Sequence, residues 1–126
     1  MGKIDFKKLY AIVAAKILDA LFNSCKGLQA VWKHQLAFRI VTFVFLLALP
    51  AAFFVGKTAP QRALLIATLM LVLIIELVNS AIETTVDRIG LDRHELSGRA
   101  KDIASAASFF AVINAAIVWT FVLFSE

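Results

Sequence analysis

Cysteine is almost absent from this chain. Cys25 stands alone, which excludes an internal disulfide. No motif surrounds it, so it reads as a small apolar filler and not as a reactive thiol. His94 has no second histidine or cysteine at ligand spacing, which argues against a zinc site. Charge is thin as well: Asp, Glu, Lys and Arg make up 17% of the residues, and they come in clusters. The first residues lack both a continuous apolar run and a cleavage site of small residues, so no signal peptide is expected. Gly2 followed by Phe6 misses the Ser or Thr that myristoylation requires. There is no repeat, linker or low-complexity segment.

What the chain has in abundance is apolar surface. Of its 126 residues, 61% are hydrophobic, and the mean hydropathy is +0.86. A soluble domain is about 45–50% apolar. A core of this size could not hide the excess, so lipid must be part of the solvent. The length allows one membrane domain. A net charge of +4 suits anionic headgroups or nucleotide phosphates without choosing between them. No nucleic-acid partner is expected.

Three apolar runs are each long enough to cross a bilayer as a helix: residues 36–55, 63–86 and 103–124. Before them, residues 4–31 place Phe6, Leu9, Tyr10, Val13, Ile17, Ala20, Leu21 and Leu28 at helical spacing, with Lys3, Lys7, Lys8, Lys16 and Lys26 in other directions. That pattern predicts a basic amphipathic helix lying in the membrane interface, broken near residues 24–27. Lysine and arginine counts then orient the chain: seven in the N-terminal stretch, four in the loop 87–102, two in the loop 56–62 and none at the C-terminal end. The N-terminus and the 87–102 loop are therefore expected in the cytoplasm, with the C-terminus opposite.

The second run carries the chemistry. Glu76, Asn79, Glu83 and Asp87 fall at i, i+3, i+7 and i+11, one stripe of a helix, and Ser80 widens it. Carboxylates on a membrane helix are costly and normally functional. At ~1.5 Å per residue, Glu76 lies ~20 Å from the start of the run and Glu83 ~10 Å further, at the cytoplasmic headgroup level. Such acids can hold a hard divalent cation or take a proton from a substrate hydroxyl. The alternative for Asn79 and Ser80 is hydrogen bonding between helices. Lys101, Ser105 and Ser108 share a face of the third run, with Asp102 beside them, and a lysine on the acid stripe's side of the membrane is a credible phosphate ligand. Val55-Gly56-Lys57-Thr58 resembles the end of a phosphate-binding loop. However, Ala51 stands where that pattern needs glycine, and Pro60 is expected to keep a helix from opening directly after it.

These residues, above all Glu76-Leu77-Val78-Asn79-Ser80-Ala81-Ile82-Glu83 and Glu95-Leu96-Ser97-Gly98-Arg99-Ala100-Lys101-Asp102, resemble the prokaryotic diacylglycerol kinase family. Lys26-Gly27-Leu28, Trp32 and Ala37-Phe38-Arg39 extend the likeness over most of the chain. The resemblance implies an all-α membrane protein: a homotrimer of three-helix subunits, each with an amphipathic surface helix, in the bacterial inner membrane. Its active sites would be shared between subunits, and it would transfer the γ-phosphoryl group of ATP to diacylglycerol with Mg2+. It also implies roles. Glu76 would be the general base. Lys16, Asn79, Glu83, Asp87, Glu95, Lys101 and Asp102 would contact ATP, and Glu83 would hold the metal. Glu76, Arg39, Ser105 and Trp119 would meet the lipid. A second metal-binding glutamate is expected just before Ala-Phe-Arg, and Gln35 stands there instead.

Two rival readings go with this one. Undecaprenol kinase is the sister activity; Ser80, residues 88–90 and Ser97-Gly98-Arg99 favour diacylglycerol. From another class, a small transporter or channel could use the acid stripe as an ion path.

Overall fold

The computed structural model describes residues 6–90, 92 and 94–125. Lys3 and Arg93, both counted above for orientation, lie outside the described residues, as does the expected start of the first helix. Four helices form: α1 (Phe6–His34), α2 (Leu36–Val55), α3 (Ala59–Ile89) and α4 (Glu95–Leu123). There is no strand among the described residues. The chain divides into two compact units, Met1–His34 and Gln35–Glu126.

Within the first unit, Phe6–His34 form one uninterrupted helix of 29 residues, so the break expected near residues 24–27 is corrected. A single Gly27 costs a helix only about 1 kcal/mol relative to alanine. Ser24 donates its hydroxyl to the Ala20 carbonyl at 2.9 Å, which satisfies it within the helix. Phe6, Tyr10, Ile17, Leu21 and Phe22 are all exposed on α1. Cys25 is exposed too, so it is not the packing filler that its isolation suggests.

In the second unit α3 packs against both α2 and α4. All three helices are long and apolar enough to span a membrane, and α3 is the most covered of them. Apolar side chains as large as Leu47, Phe54, Phe110 and Phe121 remain exposed. The hydrophobic effect would not tolerate this in water, and it costs nothing in hydrocarbon. The densest packing lies at the α2–α3 turn. There Ala52 and Leu65 are fully enclosed beside Val122, with Val55, Ile66, Val118 and Trp119 around them.

Local chemistry sets that turn. Thr58 accepts from the Gln61 amide, and the Gln61 side chain accepts from the Thr58 amide, a complete capping box. Pro60 sits in the first turn of α3. The expectation that it would hold off a helix is therefore wrong, because a first-turn residue has no intrahelical N–H bond to lose. Arg62 Nε donates to the Gly56 carbonyl at 2.8 Å. A Cβ at Gly56 would lie 2.7 Å from Arg62 Cγ, so the close approach requires glycine. At the other end, α3 runs on to Ile89 and α4 begins at Glu95. Most of the charged stretch is thus helical and not loop, which places Asp87 and Lys101 on rigid elements.

Candidate active site

The polar stripe of α3 faces inward. Glu76, Asn79 and Ser80 are buried, Glu83 is half-buried, and Asp87 is exposed at the helix end. The stripe thus grades from the bundle interior to its surface, as a 3.6-residue period and an end at Ile89 require. The neighbouring α4 carries buried Ala104, Ala111 and Ala115. Small side chains let the helices approach and leave space beside the carboxylates.

Asn79 Nδ2 donates to Glu83 Oε1 at 3.1 Å, which orients the carboxylate. Asn79 Oδ1 is buried and has no partner among the described residues. A carboxylate beside an unused amide oxygen is a donor set for a hard cation. Magnesium commonly takes only one or two carboxylates and completes its shell with phosphate and water. Among the described residues there is no group of three acidic, histidine or cysteine ligands. Gln35 is half-buried in an extended conformation just before α2. Counting along the antiparallel pair from the Ala52 and Leu65 cluster, Gln35 comes to the height of Ile82 and Glu83, and Arg39 to that of Val78 and Asn79. Arg39 Nε is buried without a partner among the described residues.

Next to the stripe, where α3 ends and α4 begins, lies a cavity of about 400 Å³ lined by Asp87, Gly90, His94, Glu95, Gly98 and Lys101, among others. Lys101 Nζ donates to Asp87 at 2.5 Å across its mouth. Glu95 pairs with Arg99 at 2.6 Å, with both side chains largely exposed. Gly98 also lines the cavity, with nothing within 4 Å of a hypothetical Cβ. The structure therefore sets Glu76, Asn79, Glu83 and Asp87 along one helix and brings Asp87, Glu95 and Lys101 to one cavity.

Other expected site residues fall elsewhere. Asp102 and Ser105 are exposed on α4. Trp119 packs near the Ala52–Leu65 core at the far end of the bundle, remote from Glu76 within one three-helix unit. Lys16 is exposed on α1, in the first unit. Sequence reasoning missed His94. Its Nδ1 accepts from the Leu96 amide at 3.3 Å and caps α4. The signal was its position directly before an acidic first turn, which is where a helix needs an acceptor.

The model of the prokaryotic diacylglycerol kinase family matches residues 22–123. The chain is 47% identical over 111 residues to the diacylglycerol kinase of Haemophilus influenzae, an overlap of 85% of this chain and 94% of that protein. It is 49% identical over 111 residues to that of Escherichia coli K12, covering 88% and 91%. It is 43% identical over 108 residues to that of Pseudomonas aeruginosa, covering 86% and 88%. Three helices long and apolar enough to span a membrane, a buried carboxylate at Glu76 and relatives at this level over nearly the whole length leave one assignment: the chain belongs to the prokaryotic diacylglycerol kinase family.

Proposed function

We propose that the chain is a membrane lipid kinase that transfers the γ-phosphoryl group of ATP to the free hydroxyl of diacylglycerol, giving phosphatidic acid and ADP. The observation that carries this reading is a stripe on one helix that runs from buried Glu76 to Asp87, where it borders the cavity that Lys101 also lines.

Phosphoryl transfer asks for positioning and charge neutralisation more than covalent chemistry. Lys101 holds the nucleotide phosphates, and Gly98 and His94 shape the cavity around the nucleotide. Glu76 accepts the proton of the lipid hydroxyl as its oxygen forms the new P–O bond and the bond to the β-phosphate oxygen breaks. Glu83, held by Asn79, and Asn79 Oδ1 are the groups that would hold Mg2+. When bound, the ion supplies positive charge to the phosphate oxygens. Gln35 stands at the height of Glu83 as a neutral oxygen donor.

The reading includes a homotrimer. Asp102 and Ser105 project from α4 on an exposed face, so a second copy packed there would complete the site with groups that one unit cannot direct at Glu76. It also includes a bacterial inner-membrane location, with the α3–α4 connection in the cytoplasm where ATP is found. The test is ATP-dependent phosphorylation in mixed micelles with diacylglycerol and undecaprenol offered in parallel. Incorporation of phosphate into diacylglycerol is expected. Incorporation into undecaprenol alone would move the assignment to the sister activity, and lipid-independent ion flux in vesicles without any kinase activity would favour a channel.

A further inference from the structure

Three contacts set how α4 lies along α3. Lys101 meets Asp87 at one end, Val122 meets Leu65 in the core cluster, and Gln61 Nε2 donates to Ser125 Oγ at 3.1 Å at the other end. Counted inward from the two ends, Ser108 comes to lie across from Val78 to Ser80, centred on Asn79. That is the turn of α3 between Glu76 and Glu83. On α4, Ser108 falls in the run of buried Ala104, Ala111 and Ala115. It brings the one polar side chain to that run.

Its hydroxyl is unusual among those of this bundle. Thr42, Thr84, Thr85 and Thr120 each donate to the carbonyl four residues back at 2.8 Å, the ordinary way to satisfy a hydroxyl in an apolar helix. Ser108 Oγ is buried and has no partner among the described residues. Asn79 Oδ1, across the seam, is unpartnered too, so the two do not bond each other. A buried hydroxyl that declines its own helix carbonyl is a standing cost, and such exceptions call for a ligand or a role.

We propose that Ser108 is a specificity-determining residue for the lipid, its O–H donating to an ester carbonyl of diacylglycerol; this rests on the lipid-kinase reading above. The lipid hydroxyl must reach Glu76, and the nearest ester carbonyl lies only a few bonds from that hydroxyl. An ester carbonyl is an acceptor, so it needs a donor at this depth. Asn79 Nδ2 is engaged by Glu83, and the neighbouring seam positions of α4 are alanine. On α4, Ser108 is the donor that this stretch of the seam leaves, beside the unpartnered Arg39 Nε on α2. A polyprenol carries a hydroxyl but no ester, so it gains nothing from the contact. The residue thereby tilts the site toward diacylglycerol.

The test compares two lipids with the same free hydroxyl, a 1,2-diacylglycerol and the chain-matched 1,2-dialkylglycerol, whose ether links lack the carbonyl. kcat and KM are measured in mixed micelles on the full chain, on Ser108→Ala and on Ser108→Thr. The natural chain should prefer the diester by about 2- to 12-fold in kcat/KM, the worth of one neutral hydrogen bond. Ser108→Ala should bring that ratio close to one, and Ser108→Thr should keep most of it. A ratio unchanged by Ser108→Ala overturns the inference. So does an equal loss on both lipids, which would mark a packing role. If the natural chain phosphorylates neither lipid, the lipid-kinase reading itself falls, a result distinct from both.

Discussion

Lys101 Nζ lies 2.5 Å from an Asp87 carboxylate oxygen, so the second turn of α4 is tied to the last turn of α3 at the mouth of the cavity. The two side chains are 38% and 50% exposed. A pair this open contributes about 0–1 kcal/mol to stability. Its value is positional: the aspartate holds the lysine where a phosphate would arrive.

Lys101→Ala should therefore leave the thermal midpoint almost unmoved and raise the KM for ATP by about 10- to 100-fold, the range for a hydrogen bond to a charged group. Steady-state kinetics with ATP varied at saturating lipid will show it. A large fall in stability with an unchanged KM would reassign the pair to architecture.

Glu76→Gln keeps the shape of a buried side chain and removes its ability to take a proton. Turnover should fall by ~10²–10⁴-fold. Stability should hold or rise, because a buried carboxylate that must ionise is costly to fold around. Turnover close to that of the natural chain, in a protein of normal helicity, would remove Glu76 from the base role.

Gln35 supplies a neutral oxygen where the resemblance leads one to expect a carboxylate. A hard cation should bind more weakly without that charge. Gln35→Glu should lower the magnesium concentration for half-maximal activity and raise the maximal rate, while Glu83→Gln should leave the enzyme close to inactive. A magnesium titration of all three proteins decides it. Identical curves for the natural chain and Gln35→Glu would show that position 35 takes no part in metal binding.

Orientation can be tested at Asp92, an exposed residue between α3 and α4. With Cys25→Ser as background, Asp92→Cys should react with an impermeant thiol reagent only after cells are opened. Labelling of intact cells would put the cavity on the wrong side of the membrane for ATP.

Much of this molecule is legible in its sequence. Three runs of apolar residues declare three spans, because length and hydropathy alone set what can cross hydrocarbon. The stripe from Glu76 to Asp87 is equally local, since 3.6-residue periodicity puts those side chains on one face wherever the helix lies. The family likeness was readable in the same way, from short runs whose order in the chain is their signature. Helix ends were less legible. Pro60 and Gly27 both read as breakers, yet one begins a helix and the other lies inside one. Neighbouring turns and caps decide those cases, and single-residue propensities of about 1 kcal/mol do not overrule them.

Tertiary packing alone decided the rest. Only the register of α4 on α3 brings Lys101 to Asp87 and Ser108 to the level of Asn79. Nothing in their spacing along the chain predicts either meeting. Packing also distinguishes residues that composition treats alike. Glu76 is buried and Asp87 exposed, although both are acids on one stripe, because the seam closes over the first and ends before the second. Trp119 and Ser105 sit on one helix, yet the former packs near the Ala52–Leu65 core while the latter lies on an open face. Those differences come from which helix lies opposite, a long-range property that a local pattern does not encode.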